Sequence, residues 1–481
     1  MKNHPISIVS AIRMLQLLVL LFIILGISEK GNAQDSLSVY LKEAATNNPG
    51  IKAKYKQYLS ALEMVPQVGA LPDPEVSLGI FLKPNELNMG NQVADIRIMQ
   101  MFPWAGSLKA SKSEAALMAK AQYHSFVEER NQLFYRLKNT WYAIYKLQKE
   151  IKLTEDNLRI LQSIERLTLV RYRSSGTASG TSLNNESALA EKTQSTSNNA
   201  MKGGQMGNNQ PTPSVSSPMK VMPGPSMGTG SGMVDILRIK MERGELENKL
   251  SLLNDQKRPL LAEFNSYLNR NPVREVYTTD SLSISESDIN DNIAADSIRA
   301  NNPMLKMYEA ETASNQAAVG KAQKMGYPMI GLGFDYMLLQ KRMGSEIMNN
   351  GKDMVMPMMT VTLPIYRKKY KAMKKEAELK VEASKLQRLD TENQLLVNYQ
   401  QNRTSKNDAL RRVKLNKVQE QYALQSVQIL RGSYQTSGKD LEEVLRMMRQ
   451  LLDYRFQITE AIVDYHLAQA GIELLMAKSA E

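Results

Sequence analysis

The chain has 481 residues, 42% apolar and 23% charged, a composition that argues against wholesale disorder and against a membrane protein built of many apolar helices. It contains no cysteine, which excludes disulfides, thiolate zinc sites, iron–sulfur ligation and a cysteine nucleophile together. The formal charge of +12 is scattered among acids along helical stretches, as in Arg136, Lys138, Lys146, Lys149 and Glu150. These are read as solvated helix faces, with no nucleic acid among the partners.

Residues 1–33 predict a secretory signal. Lys2 and Arg13 supply positive charge, Leu17 to Ile27 is an apolar run, and Gly31-Asn32-Ala33 offers small residues for cleavage before Gln34. The run is shorter than the roughly 20 residues of a membrane helix. No later stretch is a candidate helical span and no cysteine carries a lipid, so a membrane-crossing protein would have to use strands.

An internal repeat organises the remainder. Asn47-Asn48-Pro49 recurs as Asn301-Asn302-Pro303, and Pro74 and Leu78-Gly79 return at the same offset as Pro328 and Leu332-Gly333. Met101-Phe102-Pro103-Trp104 answers Thr362-Leu363-Pro364-Ile365, and Tyr172 to Gly176 answers Tyr434 to Gly438. Asp235-Ile236-Leu237-Arg238 answers Glu443-Val444-Leu445-Arg446. The chain thus divides into a first unit, 34–270, a connector, 271–290, and a second unit, 291–481.

In chain order, each unit opens with a helical stretch ending near Pro66 or Gly326. Two strands follow, about 74–82 and 94–102 in the first unit, 328–337 and 354–363 in the second. Val76, Leu78, Ile80 and Leu82 alternate with small residues, Ile96 and Ile98 with Arg97 and Met99, and Leu332 and Phe334 with Gly333 and Asp335. Such period-2 runs of about 10 residues suit tilted strands crossing a bilayer. The joining loops, Lys83 to Gln92 and Leu338 to Asp353, read as polar and water-facing. Next, Ser107–Ser175 and Ile365–Arg431 contain neither glycine nor proline, and each would reach roughly 100 Å as a continuous helix. Ile144, Leu147, Ile151, Leu158 and Leu161 form one apolar seam, and Leu153, Ile160, Ile164 and Leu167 a second, so the helices should touch neighbours on two sides. Each then turns at a Ser-Gly pair and returns as another helix. Four strands cannot close a barrel, whereas three chains would supply twelve.

In the order and duplication of these elements the chain resembles the TolC family of outer-membrane efflux channels. The resemblance rests on the paired Asn-Asn-Pro elements, the hairpins leading into Met101–Gly106, and the Tyr…Gly…Val/Ile-Leu pattern at both helix turns. It implies a mainly α chain with long antiparallel coiled-coil helices and two β-hairpins, a homotrimer closing a 12-stranded barrel in outer-membrane lipid of a Gram-negative bacterium, and an α-helical periplasmic tunnel. It implies a periplasmic adaptor protein and an inner-membrane efflux pump as partners, no cofactor, and a passive conduit that is not an enzyme. Carried over residue by residue, Tyr172, Gly176, Tyr434 and Gly438 mark adaptor-docking tips. Glu443 and its counterpart Asp235 mark the periplasmic entrance, where Arg446 replaces an acid.

One tip departs from that pattern. Gly438 and Leu445 are seven residues apart, whereas Gly176 and Leu237 enclose an insertion, 178–232, rich in Ser, Gly, Asn, Thr and Pro, which predicts a disordered segment. In or beside it lie Met201, Met206, Met219, Met222, Met227 and Met233, thioethers suited to Cu(I) and Ag(I). Two roles stay open for it, collection of soft metal ions and a tether for the adaptor. Methionine also fills irregular cores: Met304, Met307 and Met325 read as helix packing, and Met354, Met356, Met358 and Met359 as lining or facing the barrel. The copper- and silver-exporting branch of the family is similar in its methionine content. Organic compounds or a secreted protein are the other cargoes, and a structural periplasmic coiled-coil protein is the rival from another class. His124 and His466 lack metal-type spacing and read as structural, Gly228–Gly232 follows no strand and fails as a phosphate loop, Trp104 suits an interfacial anchor and Trp141 helix packing.

Overall fold

The computed structural model describes residues 36–178, 230–279, 281–285, 290–344, 346, 348–437 and 441–478. The signal segment, nearly all of the insertion and Gly438 lie outside the described residues. The elements are α1 (Ser36–Asn47), α2 (Pro49–Gly69), β1 (Glu75–Leu87), β2 (Gly90–Phe102), α3 (Ser107–Ala178) and α4 (Gly230–Tyr267), then α5 (Asp291–Asn301), α6 (Pro303–Lys324), β3 (Met329–Gln340), β4 (Met354–Thr362), α7 (Arg367–Ser437) and α8 (Leu441–Leu475). Two helices, a hairpin and two longer helices therefore occur twice in the same order.

The repeated Asn-Asn-Pro motif has one mechanism in both halves. Asn48 caps α2 by accepting from Ile51 N at 3.1 Å, and Asn302 caps α6 by accepting from Met304 N at 3.0 Å. Each proline follows at the first helical position, where its missing N–H costs nothing and its fixed φ suits the helix. The other amide atom ties down the end of the last helix of the same half. Asn48 Nδ2 donates to Tyr267 O at 2.9 Å, and Asn302 Nδ2 to Leu475 O at 3.0 Å.

The four strands form one antiparallel sheet in the order β1-β2-β3-β4. Register pairs Leu78 with Ile96, Ile96 with Tyr336 and Tyr336 with Val355, so residues opposite one another share a face across the sheet. The first hairpin is longer than its hydropathy predicts. Most of Lys83–Gln92, read as a loop, belongs to the strands, which run to Leu87 and restart at Gly90 after a bulge between Ile80 and Asn85. Polar side chains there leave the backbone ladder intact, because that ladder pairs main-chain groups only. Helix α2 likewise runs on to Gly69, past Pro66, rather than stopping there.

The chain divides into two compact units that cut across the sequence repeat. One comprises residues up to Lys149 with Asp255–Lys417 and Gln457 onward, the other Glu150–Asn254 and Val418–Phe456. The first holds the sheet and a core in which Leu137, Trp141 and Ile144 of α3 meet Phe264 and Leu268 of α4 and Tyr40 of α1. Tyr40 meets the Phe264 ring edge-on at 5.1 Å. A separate cluster joins Ala294 and Ile298 of α5 and Leu305 of α6 to Tyr399 of α7 and Ile472 and Leu475 of α8. The second unit is a four-helix assembly around Leu161, Ile164, Ile239, Leu441, Val444 and Leu452. Of the two seams read from α3, the first is buried at Leu158 and Leu161, whereas the second is buried at Ile164 and exposed at Ile160 and Leu167.

Candidate functional site

The helix turns are built on that second core. Tyr434 of α7 is buried at 5% exposure, its hydroxyl 2.9 Å from Thr168 Oγ1 of α3. Arg171 lies over its ring and donates to its carbonyl oxygen at 2.8 Å. Tyr434 therefore holds two helix ends together and offers no ring to a partner. Its sequence counterpart Tyr172 is exposed, packed beside Gly232 of α4, where an added Cβ would come within 3.1 Å of the ring. Gly176 sits in the last turn of α3.

Charges gather around these ends. Glu442 and Glu443 occupy the first turn of α8, where a helix N-terminus favours carboxylates. Arg446 donates to Glu443, and that carboxylate holds the guanidinium above its ordinary pKa. Arg238 of α4 pairs with Glu442 at 3.0 Å. Burial pushes the Asp235 carboxyl up, with Arg238 and Arg171 opposing the shift. Three braces were invisible in the sequence because their partners lie far apart in it: Arg238–Glu442, Arg243–Glu165 at 2.7 Å and Arg449–Glu242. Of the insertion methionines only Met233 is described, and it is exposed on α4; Met201, Met206, Met219, Met222 and Met227 lie outside the described residues.

The sheet has two chemically distinct faces. One carries Val76, Leu78 and Ile80 of β1, Ile96 and Ile98 of β2, Leu332 and Phe334 of β3, and Val355 and Val361 of β4, much of it exposed in the single chain. The opposite face carries Glu75, Ser77, Asp95 and Arg97, with Arg97 Nη2 donating to Asp335 Oδ2 at 3.0 Å. Apolar-out and polar-in alternation is the pattern of a barrel wall between lipid and water. Below the strands, Trp104 stacks on Tyr327 with ring centroids 5.2 Å apart, a half-exposed aromatic pair suited to a membrane–water boundary. Beside it Gly106 adopts a φ of 81° and Lys324 Nζ donates to its carbonyl oxygen at 3.2 Å.

Among the described residues no group of three or more histidines or acids could hold a metal ion, and no helix is long and apolar enough to cross a membrane. His466 is stacked on Tyr142 at 5.4 Å and burial lowers its pKa, while His124 is lowered first by burial and then by Lys120. Both belong to packed helices, and Trp141 is buried at a helix contact.

Comparison with solved structures shows what such an arrangement resembles. The chain superposes on the outer-membrane channel OprN with a TM-score of 0.69 at 13% identity, over 92% of this chain and 90% of that one. It superposes on the outer membrane protein VceC of Vibrio cholerae with a TM-score of 0.66 at 14% identity, over 91% and 95%. For CusC, described through its transmembrane channel formation, the TM-score is 0.66 at 11% identity over 92% of both chains. No family model matches the chain, and no curated protein matches it in sequence. The likeness is thus one of fold, along nearly the whole of each molecule.

Proposed function

We propose that this chain, whose fold is that of the TolC-family outer-membrane channels, is the passive exit duct of a tripartite efflux system. The observation that carries the reading is the four-stranded sheet, apolar on one face and polar on the other, with β1 and β4 each paired on one side only. Open edges are untenable in lipid, so closure requires further copies, and three sheets supply the twelve strands of a hollow barrel. An uncovered heptad-like stripe on α7, Leu415, Val418, Tyr422 and Ile429, gives the same copies a helical seam.

In this reading the helix turns face the periplasm and meet an adaptor protein bound to an inner-membrane pump, which supplies the energy. Tyr172 and Gly176 present one tip, while Tyr434 fixes the other from inside and Gly438 follows it. Asp235, Glu443 and Arg446 line the entrance. Cargo is a soft metal cation, Cu(I) or Ag(I), collected by the methionines of residues 178–232. The choice rests on thioether chemistry in a segment with no aliphatic run of its own.

The test is survival on copper, silver and a drug panel for three strains: intact, lacking the gene, and lacking only residues 178–232. Gene loss sensitises to copper and silver, and the short deletion reproduces that loss while trimers still form. Sensitivity to drugs without sensitivity to metals would sink the metal reading and leave the duct. Extraction as a monomer without detergent would sink the duct.

A further inference from the structure

The polar face of the sheet carries a second chemistry. On β2 it presents Met99 and Met101, on β3 Met329 and Met337, and on β4 Met354, Met356 and Met358. Over the central span, Glu75 to Gly79, Asp95 to Met101, Met329 to Met337 and Met354 to Thr362, the apolar side chains on this face are all methionine and the others are Glu, Ser, Asp, Arg, Thr and Gly; Phe81 and Leu339 follow at the next same-face positions. The lipid face is mostly Val, Ile, Leu and Phe, with Ala94, Gln100, Tyr336 and Pro357 among them, and carries one methionine, Met359, across from Leu332.

That segregation is not what packing demands. A flexible thioether fills gaps in a core, but this face is shared with an Arg97–Asp335 ion pair and is the water side of the wall. Leu and Val are absent from this span, although the same face carries Phe81 on β1 and Leu339 on β3 beyond it, near the hairpin ends. What methionine alone adds is a soft sulfur donor, which holds Cu(I) or Ag(I) and has little hold on hard cations.

The register also arranges the sulfurs. Met101 lies across from Gly331, and Met99 from Gly333, which in turn faces Met358. A Cβ placed on Gly331 would sit 2.6 Å from Met101 Sδ and 3.1 Å from Met99 Sδ, so both sulfurs converge over the space this glycine leaves. Successive same-face positions are about 7 Å apart along a strand, and each of the five registers from Met329 to Met354 holds at least one methionine. Midway stands Asp335, 1% exposed, one oxygen on Arg97 and the other, Oδ1, without a hydrogen-bond partner.

We propose that the lumenal wall of the barrel is a thioether relay, a ladder of weak, exchangeable sites along which a soft monovalent cation moves from sulfur to sulfur. The proposal rests on the metal-cargo reading above and places binding in the barrel itself. A thioether carries no proton at neutral pH, so uptake by the wall releases none and is independent of pH between about 5 and 8, unlike a histidine site.

The test uses detergent-purified trimers and silver nitrate, silver standing in for Cu(I) without redox chemistry. Bound silver per chain is measured after gel filtration, and its ligands by X-ray absorption. Four proteins are compared: intact, the 178–232 deletion, the M99L/M101L/M356L/M358L variant and M359L on the lipid face. Leucine conserves volume, and trimer size with potassium conductance in planar bilayers checks assembly. Sulfur-bound silver is unchanged in M359L, falls in the deletion only by what the insertion holds, and falls in the fourfold variant to what the insertion and the three remaining wall methionines hold. If that variant does not assemble, M99L/M101L, which removes the convergent pair, is read in its place. Silver retained in full by the assembled leucine variant, or lost with the deletion alone, overturns the relay. Survival assays separate the two ideas: metal sensitivity on gene loss without lumenal silver sinks the relay only, and lumenal silver without metal sensitivity sinks the cargo reading only.

Discussion

Replacing Asn302 tests the mechanism assigned to the repeated motif. Asn302 is 2% exposed and makes two bonds, accepting from Met304 N and donating to Leu475 O, each at 3.0 Å. Alanine removes a cap, about 1 kcal/mol, and leaves a buried carbonyl without its donor, about 1–3 kcal/mol. N302A should therefore cost roughly 2–4 kcal/mol locally. N302S keeps a capping hydroxyl but is too short to reach Leu475, so it should cost only the second part. Hydrogen exchange of the detergent-solubilised protein reads this directly, through peptides covering the first turn of α6 and the last turn of α8. If opening there is local, 2–4 kcal/mol appears as exchange roughly 30- to 700-fold faster. The equivalent N48A, at a half-buried site, should cost about 1 kcal/mol, because water replaces part of what is lost. Exchange within about threefold of the parent for both Asn302 variants would refute the double role. Equal acceleration by serine and alanine in α6 but none in α8 would refute the tie to Leu475.

The two faces of the sheet make an asymmetric prediction: Leu78→Arg on the lipid face should cost about 2–4 kcal/mol near mid-bilayer, against little for Ser77→Arg beside it, read as the fraction inserted into liposomes. Tyr434→Phe should lose about 1 kcal/mol with the Thr168 contact, and should alter adaptor binding no more than that loss explains, whereas Tyr172→Ala should weaken adaptor pull-down with the fold unchanged. Asp235 gives a pH signature. Its folded pKa is raised, first by burial, so the folded state holds its proton more tightly than the unfolded chain does, and stability falls as pH climbs from about 3.8 through the folded value. Asp235→Asn should flatten that part of the melting-temperature profile; an unchanged profile would assign the slope to other groups.

What was legible in the sequence is what has a local cause. Asn48-Pro49 and Asn302-Pro303 signal helix starts because cap and proline act on the next turn alone, and both starts are found. The strand faces were legible from their period, but the first hairpin's reach was not. The apolar alternation ends near Leu82, while the ladder continues through Glu86 and Asn91, whose pairing is indifferent to their side chains. Tyr434 shows the other limit. Nothing within a few residues of it reveals that Thr168, 266 positions away, waits for its hydroxyl, so a motif that marks the tip does not say which of its tyrosines points outward.

The methionines show the same division more sharply. On sequence alone those of β4 line or face the barrel without distinction, and Met359 stands equal to Met354, Met356 and Met358. Pleating sets Met359 across from Leu332 and the other three on the wall that carries Arg97 and Asp335. Only the β2–β3 register then brings Met99 and Met101 over Gly331, although β2 and β3 are more than 200 residues apart in the chain. A one-residue slip of either strand would turn the sulfurs to the face of Leu78, Ile96 and Val355 and the leucines to the face of Arg97 and Asp335. The property that matters belongs to the pairing of strands, which is why a methionine-rich composition could point to soft-metal chemistry without saying where in the molecule that chemistry sits.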